Sequence, residues 1–292
     1  MRTVLKSKTK EITIDTSGPI TIIGENINPT RRKKLTEGLL SGRLDYVFEL
    51  AEAQIAAGAD VLDINVGAPG VDEVTMLPLV ALAIAERFDV PICLDSSNRA
   101  ALAAALKVVP GKPLVNSVNG EEASLGALLP IIKEYEAAVI GLTMDDAGIP
   151  NDPEVRLSIA GRILERAAQI GIPTEDVVID PLVLTVGADQ KAGRVTLTTI
   201  EMVRSEFGIN INLGASNVSF GLPDRHTVNQ AFLALAAGAG ASCVITNPEK
   251  LTPIIRAADL LLGRDAYATR FIKDFRKRQA LGLVPDGTPA KS

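Results

Sequence analysis

The sequence predicts an α/β protein with the (β/α)8 TIM-barrel architecture, a short N-terminal hairpin extension and a C-terminal helix. Eight short runs rich in valine and isoleucine recur along the chain, as expected for buried parallel strands. A longer segment rich in alanine and leucine follows most of these runs, which is typical of helices. This alternation favours a closed barrel over an open doubly wound sheet. The turn after the first run also lacks the GxGxxG and GxxxxGK signatures of nucleotide-binding sheets.

The predicted strands and helices begin at residue 20. The eight predicted strands are 20–26, 60–66, 91–97, 113–119, 138–144, 176–181, 211–217 and 241–247. The clearest predicted helices are 44–58, 152–171, 229–240 and 251–263. Asp152 and Pro153 form a start signal, because proline follows an N-cap residue at the first helical position. Gly58 and Gly171 lie where helices commonly end.

The two ends of the chain extend beyond this repeat. Residues 1–18 contain an alternating segment, TKEITID, so we expect a small hairpin outside the barrel. Residues 264–292 are expected to form an amphipathic C-terminal helix, over 264–280, and a frayed tail at PDGTPAKS. No change of composition marks a second domain, and we therefore expect residues 1–292 to form a single domain.

Composition excludes several classes of function. A net charge of −5 is a poor match to nucleic-acid binding, which requires concentrated positive charge. No run approaches the roughly 18 to 20 apolar residues of a membrane helix, and the charged N-terminus is unlike a signal peptide. We therefore expect a cytoplasmic protein with no nucleic-acid or membrane partner.

Cysteine and histidine are too few for the common metal motifs. The chain has two cysteines, Cys93 and Cys243, and one histidine, His226. These numbers exclude cysteine-rich zinc and iron–sulfur sites and every motif with two histidines, so no metal site is expected. We interpret the thiols as small buried apolar side chains and His226 as a solvated or capping residue.

Polar residues follow every predicted strand at its C-terminal end, where barrels of this kind carry their active sites. In chain order they are Glu25, Asn26, Asn28, Asp63, Asn65, Asp95, Ser96, Asn98, Asn116, Ser117, Asn119, Thr143, Asp145, Asp180, Ser216, Asn217 and Asn247. A buried polar group without a partner costs about 1–3 kcal/mol, and any single residue of this set could be structural. Together they indicate a polar site suited to a flat ligand rich in hydrogen-bond donors and acceptors.

The motifs at these strand ends resemble those of the pterin-binding methyltransferases that act with corrinoid proteins. They are GENINPT, LDINVG, CLDS, NSVN, GLTM, GIPND, VIDPL, GASNVSFGLPDR and VNQAF. The resemblance extends in order from about residue 20 to residue 278. It is greatest to the methyltetrahydrofolate:corrinoid iron–sulfur protein methyltransferase of anaerobic acetogens and its relative in O-demethylase systems. Dihydropteroate synthase shares the fold and pterin pocket more distantly.

This resemblance implies methyl transfer between N5 of tetrahydrofolate, or 5-methyltetrahydrofolate, and the cobalt of a corrinoid. It places Asp95, Asn116 and Asp180 on the polar edge of the pterin and Asn217 beside N5 as the catalytic residue. The other residues that it places in or beside this pocket are Glu25, Asn28, Asp63, Asn65, Ser216 and Arg225. The chain lacks the DxHxxG motif of corrinoid carriers, so a corrinoid-binding partner protein is expected. By analogy with the family we expect a homodimer, with the apolar segments 75–87 and 100–109 as a candidate surface.

Three alternatives stay open. Dihydropteroate synthase activity is disfavoured because NINPTRRKKLTEG replaces that family's NxTPDSFxDGG-type loop, and its lysine and SxRH-type ending are missing. A methyltransferase of the same fold with a non-pterin methyl donor would be expected to change the ring-binding residues. A non-catalytic pterin-binding subunit is the third alternative. The direction of methyl transfer is left open.

Four consecutive basic residues, Arg31, Arg32, Lys33 and Lys34, follow the first predicted strand. One interpretation is a solvated loop. The other is attraction for the anionic glutamate tail of folate, an interaction that salt would screen.

Overall fold

A computed structural model describes residues 1–284 and begins with an antiparallel hairpin of β1 (Arg2–Lys6) and β2 (Glu11–Asp15). The next seven strands form one parallel sheet in the order β8-β7-β6-β5-β4-β3-β9. They are β3 (Thr21–Ile27), β4 (Val61–Ile64), β5 (Ile92–Asp95), β6 (Leu114–Asn119), β7 (Ala138–Leu142), β8 (Val177–Asp180) and β9 (Cys243–Thr246).

Helices alternate with these strands, as predicted. They are α1 (Lys33–Leu40), α2 (Asp45–Ala56), α3 (Glu73–Arg87), α4 (Arg99–Leu106), α5 (Glu122–Glu134), α6 (Pro153–Gln169), α7 (Ala192–Phe207), α8 (Arg225–Ala239), α9 (Pro248–Leu261) and α10 (Thr269–Ala280). The predicted start signal is confirmed, since Asp152 caps α6 by accepting a hydrogen bond from the Glu154 amide at 2.9 Å. Gly58 and Gly171 adopt positive φ after α2 and α6, a conformation that glycine tolerates best.

The predicted strand at 211–217 is wrong as a regular strand. Residues 209–214 run between β8 and β9 and contact them through isolated parallel bridges, Ile179 to Ile211 and Gly214 to Ile245. Extended backbone stops at Gly214 because Ala215–Ser219 turns into a 3-10 helix. The segment 209–214 nevertheless completes the barrel between β8 and β9. We call it the eighth stave, or barrel strand, although it precedes β9 in the chain. The predicted (β/α)8 architecture is therefore confirmed.

The core has two layers. The larger cluster of apolar residues lies between the sheet and the helices. The smaller one fills the lumen with strand residues such as Ile140 and Val178, together with Cys93 and Cys243. Both thiols are free and buried, and burial raises the pKa of each well above its usual value. The prediction that both side chains are buried is therefore confirmed.

The N-terminal hairpin packs against the lumen. It lies outside the parallel sheet, as predicted, but Leu5 and Ile14 are fully buried in the lumen cluster. The side-chain amide of Asn210 donates to Thr3 Oγ1 and to the Ile14 carbonyl, both at 2.9 Å. Because Asn210 precedes the eighth stave's bridges, this contact places the hairpin at the N-terminal end of the barrel. The polar residues at the C-terminal ends of the strands lie at the opposite end of the barrel.

At the other end of the chain, α10 lies within the predicted helix at 264–280. The predicted tail at PDGTPAKS lies outside the described residues. Among residues 1–284, no helix has the combination of length and hydropathy that crossing a bilayer requires.

We expect Ile14→Ala to lower the free energy of unfolding by about 2–5 kcal/mol, because it opens a cavity under the barrel lumen. The control Thr13→Ala changes an exposed neighbour on the same strand and should cost no more than about 0.5 kcal/mol. Urea denaturation measures both values. Equal effects of the two substitutions would show that the hairpin does not close the lumen.

Candidate active site

The strand ends bring Asp63, Asn65, Asp95 and Asn116 into one hydrogen-bonded group. Asp95 and Asn116 are partners in the register of β5 and β6. The side-chain amide of Asn65 donates to Asp95 Oδ2 at 2.9 Å, and that of Asn116 lies 3.5 Å from Asp63 Oδ1. Parallel strands with adjacent C-terminal ends thus place two carboxylates and two amides together, as the sequence predicts.

Burial controls the charge of this group. Asp63 is 2% exposed, and its loss of hydration raises its pKa well above the usual value, with a further increase from the charge of Asp95. Burial also raises the pKa of Asp95, although the hydrogen bond from Asn65 acts in the opposite direction. A ligand that donates hydrogen bonds to these oxygens would favour their ionised forms.

Asp180, at the end of β8, is held by two donors. The Leu182 amide donates to its Oδ1 at 2.8 Å and the Asn212 side-chain amide donates to its Oδ2 at 2.7 Å. Burial raises the pKa of Asp180 to about 6, while these hydrogen bonds and the charge of Arg156 oppose the increase. Asp180 is therefore oriented, and its proton occupancy changes just below neutral pH.

Glu25 connects the first stave to the eighth. Ser216 Oγ donates to Glu25 Oε1 at 2.8 Å, and Arg225 donates from Nη2 to the Ser216 carbonyl at 2.7 Å. Burial raises the pKa of Glu25, while the Ser216 hydrogen bond and the charges of Arg32 and Arg225 act against it. These contacts hold the loop that follows β3 against the loop that follows residues 209–214.

Asn217 and Asn28 differ from the other predicted site residues. Asn217 is exposed on the 3-10 helix Ala215–Ser219, and within residues 1–284 its side chain has no hydrogen-bond partner. Its amide is therefore available to a ligand. Asn28 Oδ1 accepts from the Thr30 amide at 3.0 Å, which stabilises the turn after β3.

Two cavities open at this end of the barrel. One of about 610 Å³ is lined by residues that include Asp95, Asn116 and Ser117. The other, about 220 Å³, is lined by residues that include Glu25, Ser216 and Arg225. Neither cavity is lined by Asp63, Asp180 or Asn217. The predicted residues therefore belong to one end of the barrel but not to one cavity.

Some strand-end residues have structural partners instead. Asn98 and Asn247 accept hydrogen bonds from backbone amides at the starts of α4 and α9, as N-caps. Asn119 Oδ1 accepts from the Glu121 amide at 3.0 Å. The exposed ring of His226 is 3.0 Å from the side chain of Gln230, in agreement with its interpretation as a solvated residue.

Sequence reasoning missed two residues that act on the carboxylates. Asn212 is fully buried and donates a hydrogen bond to Asp180. The sequence feature that could have identified it is an asparagine within the apolar run at 209–213. Glu73, on α3, accepts from Ser96 Oγ at 2.6 Å, and its charge raises the pKa of Asp95. No local sequence pattern distinguishes Glu73 from the acidic residues that commonly occur in the first turn of a helix.

Comparison with known proteins identifies relatives of the chain. The family described as pterin binding enzyme matches residues 24–247. The methylcorrinoid:tetrahydrofolate methyltransferase of Eubacterium limosum is 30% identical over 264 residues, which cover 88% of this chain and 96% of that protein. The methionine synthase of Mycobacterium tuberculosis is 30% identical over 288 residues, or 94% of this chain. The match covers only 24% of that synthase, so the chain corresponds to about a quarter of it.

Solved structures of dihydropteroate synthases share the fold. The Vibrio fischeri enzyme superposes with a TM-score of 0.70 at 22% identity, covering 89% of this chain and 98% of the other. A Yersinia pestis enzyme with a bound sulfonamide drug complex gives a TM-score of 0.70 at 17% identity, covering 89% and 99%. At these identities the likeness shows the fold alone.

We expect Asn212→Ala to raise the pKa of Asp180 above about 6, because the carboxylate loses a donor that stabilises its charge. Carbon NMR of the Asp180 carboxyl group across a pH titration measures this value. The control Asn119→Ala, which removes a turn contact instead, should leave the titration midpoint unchanged. A midpoint that stays at about 6 in Asn212→Ala would contradict the assigned role of Asn212.

Proposed function

Because the chain belongs to the pterin-binding enzyme family, we propose that it is a methyltransferase that moves a methyl group between N5 of tetrahydrofolate and the cobalt of a corrinoid on a partner protein. The observation that carries this proposal is the position of Asp95, Asn116 and Asp180 at the C-terminal ends of parallel strands, at the end of the barrel where Asn217 follows residues 209–214 with a free amide. The match to the Eubacterium limosum methyltransferase over nearly its whole length supports the same reaction.

The carboxylates suit the polar edge of a pterin. That edge has a guanidine-like set of N–H donors, which carboxylate oxygens accept, while Asn116 offers both an acceptor and a donor. Asp95 and Asp180 are each oriented by a neighbouring asparagine at 2.7–2.9 Å, so little reorganisation is needed when a ligand binds. The Asn65 amide donates to Asp95, and the Asn116 amide lies 3.5 Å from an oxygen of Asp63.

Asn217 is assigned to N5. In the forward direction the N5–CH3 bond breaks, the methyl group bonds to cobalt through the electron pair of Co(I), and N5 keeps the pair of the broken bond and takes a proton from solvent. An amide is too weak an acid to supply that proton. Its N–H can instead donate a hydrogen bond to N5 that strengthens as the charge on N5 changes. In the reverse direction the same contact positions N5 to attack the methyl group.

The corrinoid is assigned to the partner protein and supplies the methyl acceptor or donor. The only imidazole of the chain, His226, contacts Gln230 on α8. Among residues 1–284 no cluster of three histidine, cysteine or acidic side chains has the geometry of a metal site. The chain also lacks the DxHxxG motif of corrinoid carriers, so the proposal places the corrinoid on a partner protein. We also propose that the enzyme is cytoplasmic and homodimeric, by analogy with the family.

Dihydropteroate synthase activity is the alternative. The loop after the first stave reads NINPTRRKKLTEG, and the region after residues 209–214 reads ASNVSFGLPDR, without the lysine that the synthases use. The alternative is therefore disfavoured. A condensation assay with a pterin pyrophosphate and p-aminobenzoate would detect it directly.

We expect Asn217→Ala to lower the rate of methyl transfer about 100-fold, the loss typical when one donor to developing charge is removed. Asn217→Asp keeps the size but not the N–H donor and should be similarly impaired. The assay is anaerobic, with methyltetrahydrofolate and free cob(I)alamin, and follows the loss of Co(I) absorbance. The control Asn151→Ala, at an exposed position, should keep full activity. Full turnover by Asn217→Ala would refute the role at N5.

We also expect methyltetrahydrofolate to bind more weakly as the pH falls below about 6, because protonated Asp180 no longer accepts both pterin donors. One linked proton weakens binding at most about tenfold per pH unit. Isothermal titration between pH 5 and 8 measures this dependence. Asp180→Asn should bind weakly at every pH and with a flatter profile. A wild-type affinity that is constant over this range would contradict the assignment.

A further inference from the structure

The four basic residues after β3 separate in the structure. Lys33 Nζ lies 3.8 Å from a Glu37 carboxylate oxygen, and Lys34 Nζ lies 3.0 Å from one of Glu49. These two lysines therefore belong to ion pairs on the exposed surfaces of α1 and α2. Arg31 extends to the loop after the eighth stave instead.

Arg31 and Arg225 share one aromatic ring. The guanidinium carbon of Arg31 is 5.1 Å from the centre of the Phe220 ring, and that of Arg225 is 5.8 Å from it. Phe220 is 49% exposed, a large fraction for an aromatic side chain. Within residues 1–284 neither arginine is in an ion pair with a carboxylate. The mouth thus presents an exposed ring with two guanidinium groups over it, neither of them within ion-pair distance of a carboxylate.

Backbone contacts hold this group in place. Arg31 has a φ of 61°, which is uncommon for a residue other than glycine, and the turn is closed by the Arg32 amide, which donates to the Pro29 carbonyl at 2.9 Å. Arg225 donates from Nε to Ser219 Oγ at 3.1 Å. Its guanidinium is therefore fixed before any ligand arrives.

The position of the ring relative to Asn217 determines which part of a folate would reach it. The Phe220 amide donates to the Asn217 carbonyl at 3.1 Å, so the ring is one turn away from the residue assigned to N5. In a folate, the p-aminobenzoyl-glutamate group is attached to C6, the carbon next to N5. It therefore leaves the pterin on the side of Asn217 and Phe220.

We propose that Phe220, Arg31 and Arg225 form a subsite for the p-aminobenzoyl-glutamate tail of the folate, and that additional glutamates strengthen binding there. The exposed ring packs against the benzoyl group, and the two guanidinium groups attract the tail carboxylates. This assignment rests on the proposed function. The sequence alone allows attraction of the glutamate tail by all four basic residues. The proposed subsite includes Arg31 but not Lys33 or Lys34.

Isothermal titration of three probes tests the subsite: 6-methyltetrahydropterin, which lacks the tail, methyltetrahydrofolate monoglutamate, and its triglutamate. In Arg31→Gln we expect triglutamate affinity to fall about two- to fivefold, as for loss of one exposed charge contact. Pterin affinity should not change. Raising salt from about 20 mM to about 500 mM should remove most of the wild-type preference for the triglutamate. The matched control Lys33→Gln should bind all three probes like the wild type.

The possible outcomes separate the subsite from the function. If Arg31→Gln and the wild type bind the triglutamate equally, the subsite is refuted while pterin binding stands. If Arg31→Gln lowers only the rate with a corrinoid protein and not folate affinity, the group belongs to partner docking and the subsite is again refuted. If the wild type binds neither the pterin nor the folates, the proposed function itself fails. A second variant, Phe220→Ala, should weaken both folates but not the pterin.

Discussion

The burial of carboxylates at one end of the barrel is the constraint on which the rest of the structure depends. Removing Asp63, Asp95 and Asp180 from water raises the pKa of each, and neighbouring asparagine amides act against that increase at Asp95 and Asp180. For Asp180 the folded-state pKa of about 6 exceeds the ordinary 3.8, so protonation stabilises the fold and this stability is lost as the pH rises through about 6. A ligand whose donors replace the missing water offsets that cost. Burial of these carboxylates therefore favours a ligand rich in hydrogen-bond donors and lowers the stability of the fold without that ligand.

Amides orient these acids because an amide adds hydrogen bonds without adding charge. A lysine or arginine in the place of Asn65 or Asn212 would hold each carboxylate ionised and would compete with the ligand's own N–H donors. With asparagine partners, oxygen lone pairs remain for the ligand. Arginine charges act on two of the acids, Arg156 on Asp180 and both Arg32 and Arg225 on Glu25. The barrel mouth thus combines amide-oriented carboxylates with nearby arginine side chains.

Much of this organisation could be predicted from the sequence. Valine- and isoleucine-rich runs indicated the staves because buried parallel strands are apolar on both faces, and the polar residue after each run indicated the functional end. Local patterns could not separate an asparagine proposed to bind the ligand from a helix cap, because Asn98 and Asn217 both follow a stave and differ only in what their side chains contact. Asn212 and Glu73 act through residues distant in the chain, and no periodicity reports such contacts. The strand at 211–217 was wrong because a short apolar run does not reveal where a 3-10 turn interrupts it.

The hairpin that closes the lumen has a consequence for how the chain is made. Its contacts with Asn210 join residues 207 and 196 positions apart, so they form only after residue 210 has been synthesised. Pairings of such long range slow folding, because the loop entropy is lost before the contacts form. Leu5 and Ile14 share the lumen cluster with Ala138, Ile140, Val178 and Cys243, so part of their apolar cover is also made late. Until these residues have been synthesised, uncovered apolar surface makes the chain prone to aggregation and dependent on chaperones.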